Sequence, residues 1–107
     1  MFWIFGRKKT INEFKKHYGA RTIQQYYYNS KNIVELSYGQ NSDPHDRLEN
    51  ANSWCKRNCS GLYDSCWQRG WFNSNGEFEI NGIGGFDHIF FAFEKSQDAI
   101  MFKLRWG

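Results

Sequence analysis

The sequence predicts one α+β domain, with helices packed on one face of an antiparallel sheet. Three observations carry this reading. The first is a mixture of periods. Leu48, Ala51, Cys55 and Cys59 recur at helical spacing, whereas Ile33-Val34-Glu35-Leu36-Ser37-Tyr38 and Glu77-Phe78-Glu79-Ile80 have the composition of strands. The second is punctuation: Asp43-Pro44 is a helix start and Asn75-Gly76 a positive-φ turn. The third is size. A chain of 107 residues has material for one core, and neither a repeat nor a linker divides it. Residues 1–107 are therefore read as a single domain, a basic helical segment over 1–31 leading into an α+β core over 32–107.

The elements follow in order. Thr10-Ile11-Asn12-Glu13 has the form of a capping box, so a helix is expected from Thr10, with Ile11, Phe14 and Tyr18 on one face and Gly19 as its end. A second helical piece is expected through Tyr26, although Tyr26-Tyr27-Tyr28 suits a strand equally well. A strand follows over Ile33–Tyr38, bounded by Gly39. Asp43 caps the next helix, Pro44 occupies its first position, Asp46 faces the positive end of the dipole, and Gly61 is the expected stop. Leu62 to Phe72 reads as extended. Asn73-Ser74-Asn75-Gly76 turns the chain, and Glu77–Ile80 pairs back. After the flexible Asn81-Gly82-Ile83-Gly84-Gly85, the apolar run inside Asp87–Glu94 is expected as a central strand. Ile100, Phe102, Leu104 and Trp106 alternate as a strand would, but Ser96 and Asp98 favour a terminal helix that buries Ala99, Phe102 and Trp106. A β-α-β-β-α series over Ile33–Trp106 is compatible with a ferredoxin-like layer, its last strand missing or supplied by the N-terminal segment.

Composition narrows the function classes. No stretch of about 18 apolar residues is present, so no membrane-spanning helix is expected. Phe2-Trp3-Ile4-Phe5 precedes Arg7, Lys8 and Lys9, the reverse of a secretory leader, and three cysteines are an odd number. Both point to a reducing, cytoplasmic setting. The chain has 21 aromatic residues against 13 Leu, Ile and Val. Rings of about 150–250 Å² each cannot all be hidden in so small a domain, which points to an aromatic contact surface. Residues 1–31 hold seven basic residues against Glu13 alone, while the remainder is net acidic. Such a division suits an acidic partner, protein or nucleic acid.

Four constellations bear on chemistry. Cys55 and Cys59 share one helix face, and with Cys66 and either His45 or His88 they are a candidate metal set, but the spacing is not that of a zinc knuckle and buried packing thiols are the favoured reading. His17, His45 and His88 are the only histidines. Asp87 cannot orient His88, because neighbouring strand residues point to opposite faces, and no catalytic signature is present. The glycines of 81–85 lead into a strand and lack the helix and lysine of a phosphate loop. Trp67, Arg69 and Trp71 share one strand face. With Lys8, Lys9, Lys15, Lys16 and Arg21 they form a candidate surface for a partner or for single-stranded nucleic acid.

The closing stretch Phe93-Glu94-Lys95-Ser96-Gln97-Asp98-Ala99-Ile100-Met101-Phe102-Lys103-Leu104-Arg105-Trp106-Gly107 resembles the ending of small proteins of tailed bacteriophages, and Trp54-Cys55-x-x-Asn58 is similar in kind. The resemblance implies a strand followed by a helix and a phage accessory context, and it brings no catalytic residue. The abundance of Phe, Tyr, Ile, Asn and Lys, which have AT-rich codons, agrees with it. The expectation is a non-enzymatic protein that binds a protein partner through rings and basic groups, without a cofactor. Single-stranded nucleic-acid binding and a small metal site at Cys55, Cys59 and Cys66 are the alternatives.

Overall fold

The computed structural model describes residues 15–28 and 31–107. In chain order the elements are α1 (Ile23–Tyr26), β1 (Asn32–Glu35), α2 (Pro44–Asn58), β2 (Tyr63–Phe72), β3 (Phe78–Ile80), β4 (Phe86–Phe93) and α3 (Ser96–Trp106). The four strands form one sheet in the order β1-β4-β2-β3, with every pair antiparallel.

Because β1 and β2 are both antiparallel to β4, they run parallel to each other with β4 between them. The crossover that joins them is α2. This is a split β-α-β unit, the frame of the ferredoxin-like layer expected from the sequence. The β2–β3 hairpin extends the sheet beyond β2, and its turn places Gly76 at φ 78° with Asn73 Oδ1 accepting from the N–H groups of Asn75 and Glu77.

The alternation of β4 divides the core. Ile89, Phe91 and Phe93 point to the face covered by α2 and α3, where they meet Ala51, Cys55, Ala99, Phe102 and Trp106. The Phe102 ring lies 4.6 Å from Phe91 and 5.0 Å from Phe93, centroid to centroid. Phe90 and Ala92 point the other way, onto Ile23, Tyr27 and Phe78. The two long helices thus share one face, and α1 forms a small layer on the other. Both faces of β4 are covered, which is why its sequence is a continuous apolar run.

Several expectations are refined. Residues 10–14 of the helix expected from Thr10 lie outside the described residues. Residues 15–20 are not helical: His17 N–H donates to Tyr26 O, Ala20 N–H to His17 O, and Gly19 sits at φ 83° in a turn. The piece through Tyr26 is helical, capped by Thr22, whose hydroxyl accepts from Gln25 N–H. The α2 start is as expected, with Asp43 accepting from His45 N–H, but the helix ends at Asn58 and not at Gly61. Gly61 N–H instead donates to Asp98 across the fold. Strand β1 ends at Glu35, short of the expected Tyr38, and just beyond it Ser37 N–H donates to Trp106 O at the end of α3. Lys95 occupies the cap position of α3 without a side-chain bond, and Ser96 is already its first residue.

Candidate functional site

The two edges of the sheet differ. On β3, the outward N–H groups of Phe78 and Ile80 are taken by Gln24 Oε1 and Arg21 O, and Thr22 bridges to Glu79. On β1, the bond from Leu36 N–H to Ile89 O fixes the phase. Val34 then faces Phe91 as a bonded pair, and the main-chain groups of Ile33 and Glu35 point away from the sheet. No described residue bonds to them.

A groove of about 740 Å³ runs beside this open edge, lined among others by Ile23, Ile33, Glu35, Phe72, Phe86 and His88. Even-numbered positions of β2 and β4 and odd-numbered positions of β1 supply that face. Glu35 pairs with Phe90, so His88, two residues away, is its diagonal neighbour. His88 Nδ1 donates to Glu35 Oε2 at 2.5 Å. The imidazole is packed by Phe78 at 4.7 Å and Phe72 at 5.5 Å. This orientation by Glu35 is what the sequence reading missed. It excluded Asp87 correctly, but the partner lies 53 residues away and only the strand register brings it in. Among the described residues, no Ser, Thr or Cys side chain hydrogen-bonds to His88.

Large apolar side chains gather where β2 ends and β4 begins. Ile83 is 97% exposed, Phe86 78%, Phe72 49% and Trp71 42%. Gly85 makes this end possible. Its φ is 77°, and a Cβ there would stand 1.9 Å from Gly70 O. The turn before β4 is held by Asn81 Oδ1, which accepts from Ile83 and Gly84 N–H.

The residues singled out from the sequence are only partly brought together. Trp67, Arg69 and Trp71 do share one face of β2. Trp67, however, is half-buried under the core, with its ring centroid 4.7 Å from His45, and Arg69 lies 3.9 Å from Asp87. Lys16 is on the opposite face, 2.7 Å from Asp64, with its ammonium over the rings of Tyr26 and Tyr27. Lys15 and Arg21 are exposed, while Lys8 and Lys9 lie outside the described residues. A single basic and aromatic stripe is therefore not assembled from the described members of that set.

The cysteines are separated in the same way. Cys55 and Cys59 stand one turn apart on the core side of α2, whereas Cys66 belongs to the opposite face of the sheet. Among the described residues no group of three His, Cys, Asp or Glu side chains could hold a metal ion. Burial pushes the Cys55 thiol up, with Cys59 beside it contributing. Burial likewise raises Cys66, against the opposing pull of its Tyr27 hydrogen bond and of Lys16. Tyr27 donates to Asp64 Oδ2 at 3.1 Å and is raised by burial first and then by Cys66 and Asp64. For Lys16, burial works downward, but the hydrogen bond and charge of Asp64 outweigh it and the ammonium is held above its ordinary range. These are inert, protonated thiols and a closed ion pair, the chemistry of packing.

Among the described residues no helix is long and apolar enough to cross a membrane. Comparisons with protein-family models, with curated proteins and with solved structures find no match.

Proposed function

We propose that the protein is a non-enzymatic binding protein that engages a protein partner through Phe72, Phe86 and Ile83 and the adjoining groove. The carrying observation is the exposure of Phe72 and Phe86 on the groove face of the sheet, with exposed Ile83 in the turn before β4. Clusters of this kind, rimmed by polar groups, are the usual anchors of protein contacts, where aromatic side chains supply much of the binding energy. Glu35 and His88 provide the polar group at the groove floor. The resemblance of residues 93–107 to tailed-phage proteins supports an accessory role in an infected bacterium, with the host cytoplasm as the place of action.

The test is selection from a random displayed-peptide library against the wild-type protein. Enriched peptides should lose at least about tenfold in affinity, or about 1.4 kcal/mol, on Phe86→Ser or Phe72→Ser and be unaffected by Lys16→Glu. Peptides that bind both Ser variants as tightly as wild type would overturn the assignment. Single-stranded nucleic acid is the second reading, favoured by exposed Trp71 beside exposed Arg69 on one strand face. It predicts salt-dependent tryptophan quenching by an oligothymidylate, and an unchanged fluorescence at low salt removes it.

A further inference from the structure

We infer that the open edge of β1 pairs with the same edge of a second copy of this chain, antiparallel about a two-fold axis at Ile33, to form a continuous eight-stranded sheet.

The argument begins with the contrast between the edges. The β3 edge is closed by Arg21, Thr22 and Gln24, whereas the outward N–H and C=O groups of Ile33 and Glu35 have no bonding partner among the described residues. Unpaired strand edges are templates for another strand, and β1 contains neither the proline nor the bulge that commonly protects one. Symmetry then limits the registers. Centring on Glu35 would set two carboxylates directly opposite each other, which is destabilising. Centring on Ile33 places Ile33 against Ile33 of the second copy, a β-branched apolar pair. It also places each Glu35 opposite Lys31 of the second copy.

The charges needed for that register are available. Lys31 is exposed and makes no ion pair among the described residues. Glu35 uses Oε2 for His88, while its Oε1 has no partner there. The register therefore adds two Lys–Glu pairs flanking an apolar centre. Side chains that oppose one another across an antiparallel pair lie on the same sheet face, so the two α3 helices would stand on one face. Lys103 of α3 and Gly107, which caps it, line the groove beside β1, so that side of the helix faces the junction. Ile100 and Leu104, both exposed on α3, would then lie near the second copy's helix. Isologous contacts of this kind are the commonest route to a soluble dimer. The edge is short, so the dimer should dissociate on dilution.

Sedimentation and cross-linking test this independently of any hetero-partner. The wild-type chain of 12.8 kDa should approach about twice that mass as concentration rises. Lys31→Glu should return it to monomer, and Lys31→Glu with Glu35→Lys should restore the dimer. Ile33→Cys should form a disulfide-linked dimer on mild oxidation, because directly opposed bonded residues have Cα atoms about 5.5 Å apart. Val34→Cys should stay at the background set in parallel by the native cysteines. A wild-type monomer throughout, cross-linking at Val34 in place of Ile33, or loss of dimer in the charge-swapped double variant would overturn the inference, whatever else covers the edge.

Discussion

Replacing Asp98 should be among the most damaging single changes in the chain. Its carboxylate is fully buried at the start of α3. It accepts from Ser60 N–H at 3.1 Å and Gly61 N–H at 2.9 Å, and the Ser60 hydroxyl donates to it at 3.2 Å. These bonds tie the loop after α2 to the first turn of α3. Asp98→Ala would leave two main-chain donors without an acceptor. Each such loss costs about 1–3 kcal/mol, and the favourable placement of a carboxylate at a helix N-terminus is worth about 0.3–1 kcal/mol more. The expected loss is about 3–5 kcal/mol, a fifth or more of the roughly 5–15 kcal/mol by which such a domain is stable. Asp98→Asn keeps one oxygen but turns an NH₂ toward donors, so about 2–3 kcal/mol is expected. Ser60→Ala removes only the exposed hydroxyl and should cost under about 1 kcal/mol. Urea denaturation is the assay: the midpoint should fall in the order Ser60→Ala, Asp98→Asn, Asp98→Ala, with an unchanged slope. An Asp98→Ala midpoint within about 1 kcal/mol of wild type would refute the role of the carboxylate as the clamp between the two helices.

Two further outcomes follow from glycine geometry and from protonation. Gly85→Ala should cost about 2–4 kcal/mol, because φ 77° is unfavourable for alanine and its Cβ would meet Gly70 O at 1.9 Å; Gly76→Ala, at φ 78° with open space around it, should cost only about 1–2 kcal/mol in the same urea titration. Stability should also fall under alkali. The folded state holds Cys55, Cys66, Tyr27 and Lys16 protonated above their ordinary values of 9.0, 9.0, 10.0 and 10.5. For each, the folded chain binds more protons than the unfolded chain once pH exceeds the unfolded value, so the stabilisation is complete below about pH 9 and declines above it. The urea midpoint should drop between about pH 8 and pH 10.5, and a flat midpoint would contradict the burial of these groups.

What the sequence disclosed, and what it withheld, divides along a physical line. Features set by neighbours in the chain were legible. Asp43-Pro44 caps α2, Asn75-Gly76 turns the hairpin, and the apolar run of β4 marks a strand covered on both faces. Assignments that depended on pairing across the sheet were not. Cys55, Cys59 and Cys66 lie within a dozen residues, yet α2 and β2 send them to opposite sides of the sheet. Lys16 reads as part of a basic stripe until Asp64, 48 positions later, closes on it. Glu35 and His88 carried no sequence signal, because a diagonal neighbour across strands has no fixed spacing in the chain. Asp98 reads from the sequence only as a first-turn residue of the terminal helix, and its bonds to Ser60 and Gly61 carry no local signal.

The same division explains why binding surfaces were harder to place than elements. An aromatic excess requires some rings to remain exposed, but local pattern does not choose which. Here the choice is made by strand length. Strand β2 runs to Phe72, two residues past the point where Gly70 pairs with Phe86, the first residue of β4, while β1 covers β4 only from Phe90 to Phe93. The uncovered corner retains Phe72 and Phe86, and the edge position of β1 leaves Ile33 and Glu35 with outward main-chain groups. A longer β1 would cover the end of β4 that Phe86 begins. The groove and its exposed rings are thus consequences of the early end of β1, and the open edge follows from the place of β1 at the margin of the sheet.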